Sequence, residues 1–314
     1  MVSSSAVYHA GSPPSTRRPT PAQEHRPKAL VIFAIVIAVL LWASAFPAIQ
    51  VSLTAYTPAE VAFLRYIVAS VILGVYALFR RMPLPRPRDL PLISVCGFIG
   101  FTVYNFMLNA GQMTVSAGMA SFVISSEVGV IALLAWLFLG EQLGKVGWLG
   151  IALCIAGVGI ISLNGRGGLQ ISTGVLLVFL ATLSISLYSV LQKPLLQRYT
   201  AIQFTAYAIW AGTLFLFLLA PRAVGAIVHA PIGPTLAVIY MGIFPGVVAY
   251  GAWSYVLSMI PASRAGSYLA LVPVAALIIA WLWLREIPTP IALVGGVIVL
   301  CGVTLVNRRT QSSR

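Results

Sequence analysis

The stretch LLAWLFLGE over 133–141 returns as IIAWLWLRE over 278–286, so the chain nearly repeats itself at an offset of 145 residues. Without a gap, the same offset lays Gly97 on Gly242, Ala117 on Ala262, Gly150 on Gly295 and Gly157 on Gly302. Self-similarity at a fixed period constrains architecture more than any local motif, and this chain must be built from two similar halves.

Each half is a succession of apolar runs. Of the 314 residues 60% are hydrophobic and only 8% charged, against about 25% charged in a soluble domain, so the chain cannot cover a water-facing surface. Ten membrane spans are expected, at 29–49, 59–79, 90–110, 116–138, 146–163, 172–192, 202–220, 235–258, 262–284 and 289–306. Each approaches the roughly 20 residues needed to cross a ~30 Å hydrocarbon core. Helices are obligatory there, because each backbone group in hydrocarbon must find its partner within the segment. Pro, Gly or charge marks the connections, as in MPLPRPRDLP, LGEQLGK, NGRGG, HAPIGP and REIPTP. Residues 1–28, rich in Ser and Pro, predict a disordered tail; the run after them is as long as a full span and lacks a small-residue cleavage site. A short basic tail is expected over 307–314.

The net charge of +13 is distributed between apolar runs rather than on one polar face. It therefore points to membrane topology, with the lipid bilayer and not a nucleic acid as partner. With the N-terminus inside, fifteen Lys and Arg fall on the cytoplasmic side and only Arg166, Arg222 and Arg285 outside, while Arg65 lies within helix 2. Both termini are thus expected to be cytoplasmic. Five helices per half is an odd number, so the second half must enter the membrane in the opposite orientation. The expected fold is an all-α integral membrane protein of ten transmembrane helices in two inverted five-helix repeats, 29–163 and 172–306. Inverted repeats of this kind serve alternating access in secondary transporters.

The order and duplication of several motifs resemble one family. They are LLWASAFPAIQ over 40–50, FLRYIVASVIL over 63–73, ALLAWLFLGEQL over 132–143, AYGAWSYVLSMIPASRAGSYLALVPVAALIIAWLWLRE over 249–286, and the Gly-bearing helix after each closing Glu. The chain resembles the EamA-like ten-helix members of the drug/metabolite transporter superfamily, over essentially residues 29–306. The resemblance implies a secondary transporter exporting a small metabolite through the cell (inner) membrane. Gln50 stands where many relatives carry Lys, and Val128 where the first-half motif often has the Pro kept here as Pro273.

Glu127 is the sharpest single residue. It falls near mid-span in 116–138, where an ionisable group is functional by default and otherwise a neutral hydrogen-bonded carboxyl. It could carry a proton or bind a substrate amine. Arg65 lies within helix 2 without an acidic neighbour on its own face. It could form a charge pair with Glu127, bind a substrate carboxylate, or serve packing through helix-end carbonyls; the packing role is favoured because the resemblance places an Arg here irrespective of substrate. The repeat partners of Glu127 and Arg65 are Val272 and Trp210, so the charges break the internal symmetry.

Polar and aromatic residues recur at helical spacing: Trp42, Phe46 and Gln50 with Ser44 beside them, Asn105, Asn109 and Gln112 with Tyr104, and Ser184, Tyr188 and Gln192. Tyr250, Trp253 and Ser254 do so on helix 8, and Tyr268 precedes Pro273 on helix 9. The substrate-binding candidates are Trp42, Ser44, Gln50, Tyr104, Asn105, Asn109, Tyr188, Gln192, Tyr250, Trp253 and Tyr268, a set suited to an amphipathic amino acid, its derivative or an amine. Interfacial aromatics and interhelical hydrogen bonds explain the same residues without a ligand.

Glu141 and Glu286 are expected to cap or pair with loop groups. Gly150, Gly157, Gly295 and Gly302 are expected to serve helix packing, with a homodimer contact as one use. Cys96, Cys154 and Cys301 lie inside apolar stretches and read as small buried hydrophobes. His9, His25 and His229 are dispersed, so neither a metal site nor a cofactor is expected. Without GxxxxGK[ST], HExxH or GxSxG, and with Asp89 the only Asp, neither an ATPase nor a membrane-embedded enzyme is favoured. A non-transporting membrane subunit is the alternative.

Overall fold

The computed structural model describes residues 28–139, 144–162, 172–219, 222–260 and 268–312. Among them ten apolar helical runs follow one another: α1 (Ala29–Leu53), α2 (Pro58–Phe79), α3 (Pro87–Gln112), α4 (Ala117–Phe138), α5 (Lys145–Ser162), α6 (Thr173–Leu191), α7 (Ala201–Leu218), α8 (Ile232–Val256), α9 (Leu269–Leu284) and α10 (Pro290–Val306). Eight are long and apolar enough to cross a membrane, and α9 and α10 are shorter. Ile32, Val71, Leu214 and Val297 are among many large apolar side chains left more than half exposed. A bilayer, not water, is the solvent such a surface suits.

Helix starts follow local chemistry. Thr57 and Glu60 form a capping box at α2, with Pro58 at the first helical position. Ser116 caps α4 by accepting the Met119 N–H at 3.3 Å, and Glu286, from the other half, accepts the Ala117 N–H at 3.2 Å. Glu286 thus has the helix-end role expected of it, whereas Glu141 lies outside the described residues.

Glycine backbones set the relation between the halves. Gly150 of α5 lies against the Gly302 carbonyl of α10, and Gly157 lies against that of Gly295. Under the 145-residue offset the Gly150–Gly302 contact maps onto the Gly295–Gly157 contact, the reciprocity that a twofold relation produces. Corresponding helices of the two halves run antiparallel along this seam. The same exchange recurs elsewhere: Gly97 of α3 abuts Ala208 and Gly212 of α7, and its equivalent Gly242 of α8 abuts Arg65 and Val68 of α2. These four seam glycines are packed against one another within the chain.

Irregularities repeat as well. A π-helical segment, Phe98–Val103, interrupts α3, and another, Phe244–Val248, interrupts α8 at the same offset to within one residue. Pro245 accounts for part of the second, since it has no N–H to donate. In α4 the helix Ala117–Ser125 stops at Ser126 and restarts at Glu127. Its equivalent α9 opens with a 3₁₀ turn, Leu269–Leu271, and becomes α-helical at Val272. The Ser125 and Ser126 hydroxyls turn back on the Ser121 and Val123 carbonyls, a competition that loosens a helix.

Contacts between connections tie the halves at both ends. Arg198 pairs with Asp89, whose other oxygen accepts the Tyr199 hydroxyl at 2.8 Å. That hydroxyl in turn accepts the Arg86 N–H at 2.9 Å. At another connection the Tyr56 and Thr235 hydroxyls meet at 2.7 Å. Asp89→Asn is expected to lower the melting midpoint of the detergent-solubilised protein at low salt. The difference should shrink in high salt, because the Arg198 side chain is 40% exposed.

The last helix, Pro290–Ser312, runs on through residues 307–312 of the expected basic tail, where the sequence offers neither Gly nor Pro to stop it. His229 ends a short helix, Ala223–His229, in the connection between α7 and α8. One expectation is corrected. Cys301 is exposed while Cys96 and Cys154 are buried, since an apolar face toward lipid and one toward protein look alike in sequence.

Candidate substrate site

Between α2 and α3 the chain buries a cation. Arg65 is 7% exposed, and its Nη1 donates to Asn105 Oδ1 at 3.4 Å. The guanidinium carbon lies 5.2 Å from the centre of the Tyr66 ring. Asn105 Nδ2 donates to the Tyr66 hydroxyl at 3.0 Å and to the Phe101 carbonyl at 2.9 Å, which fixes the amide with its oxygen toward Arg65. Arg65 Nε has no hydrogen-bond partner in the protein. Of the alternatives open for Arg65, the hydrogen bond observed is to an amide, which holds the guanidinium without neutralising it.

Rings extend from this point across both halves. Phe101, within the π-helical part of α3, meets Tyr66 edge-on at 5.3 Å and Tyr188 of α6 at 5.5 Å, and lies 6.4 Å from Tyr250 of α8. Trp42 of α1 meets Tyr250 and Trp253 edge-on, each at 5.5 Å. Tyr188 stacks on Phe204 at 6.0 Å. Close approach of α3 and α6 requires Gly100, because a Cβ there would stand 2.5 Å from the Tyr188 ring.

Glu127 opens the second segment of the broken α4 and is half-buried. Its Oε1 accepts the Ser189 hydroxyl of α6 at 3.3 Å. Tyr104 lies within electrostatic reach of Glu127, Arg65 and Tyr66, and Tyr250 within reach of Tyr66, Tyr188, Tyr104 and Arg65. These contacts bring together a buried guanidinium, a carboxyl, several phenols and a line of ring faces. Chemically the arrangement can offer separate partners to an ammonium and a carboxylate, with apolar ring surface for a side chain.

Eight candidates converge here: Trp42, Arg65, Tyr104, Asn105, Glu127, Tyr188, Tyr250 and Trp253. The others stand apart. Ser44 bonds the Leu41 carbonyl at 2.9 Å and the Tyr240 hydroxyl at 2.6 Å. Gln50 Nε2 donates to the Val115 carbonyl at 3.1 Å, and Asn109 Nδ2 to that of Pro58 at 3.0 Å. Gln192 follows the last residue of α6, partly exposed, and Tyr268 is 37% exposed just ahead of α9. Sequence reasoning passes over Tyr66, Phe101 and Ser189. Phe101 lies four residues before Asn105 on one helical face, and Ser189 is the repeat equivalent of Ser44, so both carried a usable signal.

Repeated helical halves with an apolar exterior and a polar, ring-lined centre define a multi-pass membrane transporter. The model of the EamA-like transporter family matches twice, over residues 29–163 and 172–308, and the chain belongs to that family. It is 39% identical over 283 residues to a protein of Streptantibioticus cattleyicolor named as a probable terminal-alkyne amino-acid exporter, covering 90% of this chain and 95% of that one. Identity is also 39% over 263 residues to the uncharacterized transporter YdfC of Bacillus subtilis, covering 84% and 86% of the two chains. A crystal structure 19% identical in sequence shares the fold with a TM-score of 0.61, over 90% of this chain and 99% of its own.

Proposed function

We propose that the chain exports an amino acid or close derivative with an apolar side chain, by alternating access across the cell membrane. The observation that carries this reading is the unneutralised Arg65. A buried guanidinium held by an amide, with Nε free, stands in the same centre as a Glu127 whose partner is a serine hydroxyl. A zwitterion supplies what both lack: its carboxylate goes to Arg65 and its ammonium to Glu127, while its side chain lies on the Trp42, Tyr250 and Phe101 rings. The name of the Streptantibioticus relative supports an amino-acid substrate.

The reading takes ten spans with both termini cytoplasmic. That count puts Asp89 and Arg198, Tyr56 and Thr235, and Ala117 and Glu286 each on a common membrane face, in keeping with their contacts. Breaks near the middles of α3 and α4 in the first half and of α8 in the second suit a site at the repeat interface.

The test is counterflow in proteoliposomes with three probes: propargylglycine, but-3-ynylamine, which lacks the carboxylate, and pent-4-ynoate, which lacks the ammonium. Each truncated probe is expected to compete at least about tenfold more weakly, since a charge-assisted hydrogen bond contributes about 1.5–3 kcal/mol. Arg65→Gln should remove the preference for propargylglycine over the amine. Equal transport of amine and amino acid by the unaltered protein would refute recognition of a zwitterion.

A further inference from the structure

Asn105, Asn109 and Gln112 fall at i, i+4 and i+7 and form one stripe about 10 Å long on α3. All three are buried, at 0%, 1% and 4% exposure. Their hydrogen-bond satisfaction falls along the stripe. Asn105 is fully engaged with Arg65, Tyr66 and Phe101. Asn109 donates to the Pro58 carbonyl, but its Oδ1 has no partner. Gln112 has no partner for either Oε1 or Nε2. Buried amides without partners are rare in native proteins and call for an explanation. A methionine or leucine at 112 would fill the same space without stranding two polar atoms, so packing does not account for Gln112.

We propose that Asn109 and Gln112 form a second, transient station for the substrate, between the Arg65–Glu127 centre and the membrane face where α3 ends. The ligand class is the zwitterionic head group of an amino acid, so the proposal rests on the reading of the central site given above. Asn109 Oδ1 and Gln112 Oε1 accept from the ammonium, and Gln112 Nε2 donates to the carboxylate. Neutral amides suit this place, because a station on a path must bind well enough to be entered and weakly enough to be left.

The experiment compares the full-length protein with Gln112→Met in proteoliposomes, with radiolabelled propargylglycine offered first at one face and then at the other. Gln112→Met should raise KM about tenfold at the face where α3 ends, leave the opposite face unchanged, and leave the equilibrium Kd of the purified protein within about twofold. Its melting midpoint should rise, since two unpaired buried atoms are removed. Gln112→Asn, which keeps a shortened amide, should give an intermediate KM. Unchanged kinetics at both faces, an equal loss at both faces with a weakened Kd, or a lowered melting midpoint would each overturn the station and leave the central site standing. Absence of propargylglycine binding and flux in the unaltered protein would overturn the central site and the station with it.

Discussion

Glu127→Gln is expected to reduce propargylglycine flux about 10- to 100-fold, the loss that follows from removing a charged hydrogen-bond partner of the ammonium. The amide is nearly isosteric, and its oxygen can still accept the Ser189 hydroxyl that now lies 3.3 Å from Oε1. Folding and membrane insertion should therefore be retained, which a melting curve in detergent checks. The variant should also lose the response of flux to an imposed pH gradient, because an amide cannot exchange an ammonium for a proton. Unimpaired flux with an unaltered pH response would remove Glu127 from the mechanism.

Gly157→Leu is expected to do its damage at the other end of the causal chain, in folding. Even a Cβ at this position would stand 2.7 Å from the Gly295 carbonyl oxygen and 2.8 Å from the Val299 nitrogen. Backbone, unlike a side-chain tip, cannot swing aside, so α5 and α10 would have to separate. A cost of about 1–3 kcal/mol is the scale for forced overpacking, and it should appear as a lowered melting midpoint and reduced membrane yield. Gly159→Leu, two residues along the same helix, is the control: nothing lies within 4 Å of a Cβ there. Leu is also the better helix former by up to about 1 kcal/mol. Equal behaviour of the two variants would refute the seam as the join between halves.

The duplicated architecture was legible because glycines and the AWL stretches keep their spacing, and spacing survives in a linear string. The partners of Arg65 were not. In a soluble protein, charge opposite charge is a fair first expectation, yet here the guanidinium is met by Asn105, a residue that looks unremarkable on α3. Apolar periodicity also fails to separate protein-facing from lipid-facing positions, since hydrocarbon and core favour the same side chains. Cys301 and Cys154 illustrate this, with similar surroundings in sequence and opposite exposure. Tyr268 shows the matching ambiguity for aromatics, which suit a helix end at the interface as well as a cavity. The π-helical segments had only a faint signal in Pro245, and Gly100 gave none until the Tyr188 ring was found against it.

The π-helical interruptions of α3 and α8 recur in register, and the break at Ser126 in α4 matches the 3₁₀ turn that opens α9, whereas Arg65 and Glu127 are answered by Trp210 and Val272. Joints were inherited twice, and cargo grips once. In the carrier proposed above the two charged grips lie on the first half, while the rings beside them come from both halves. Selection for new cargo can then rewrite the grip on that half without touching the hinges on either.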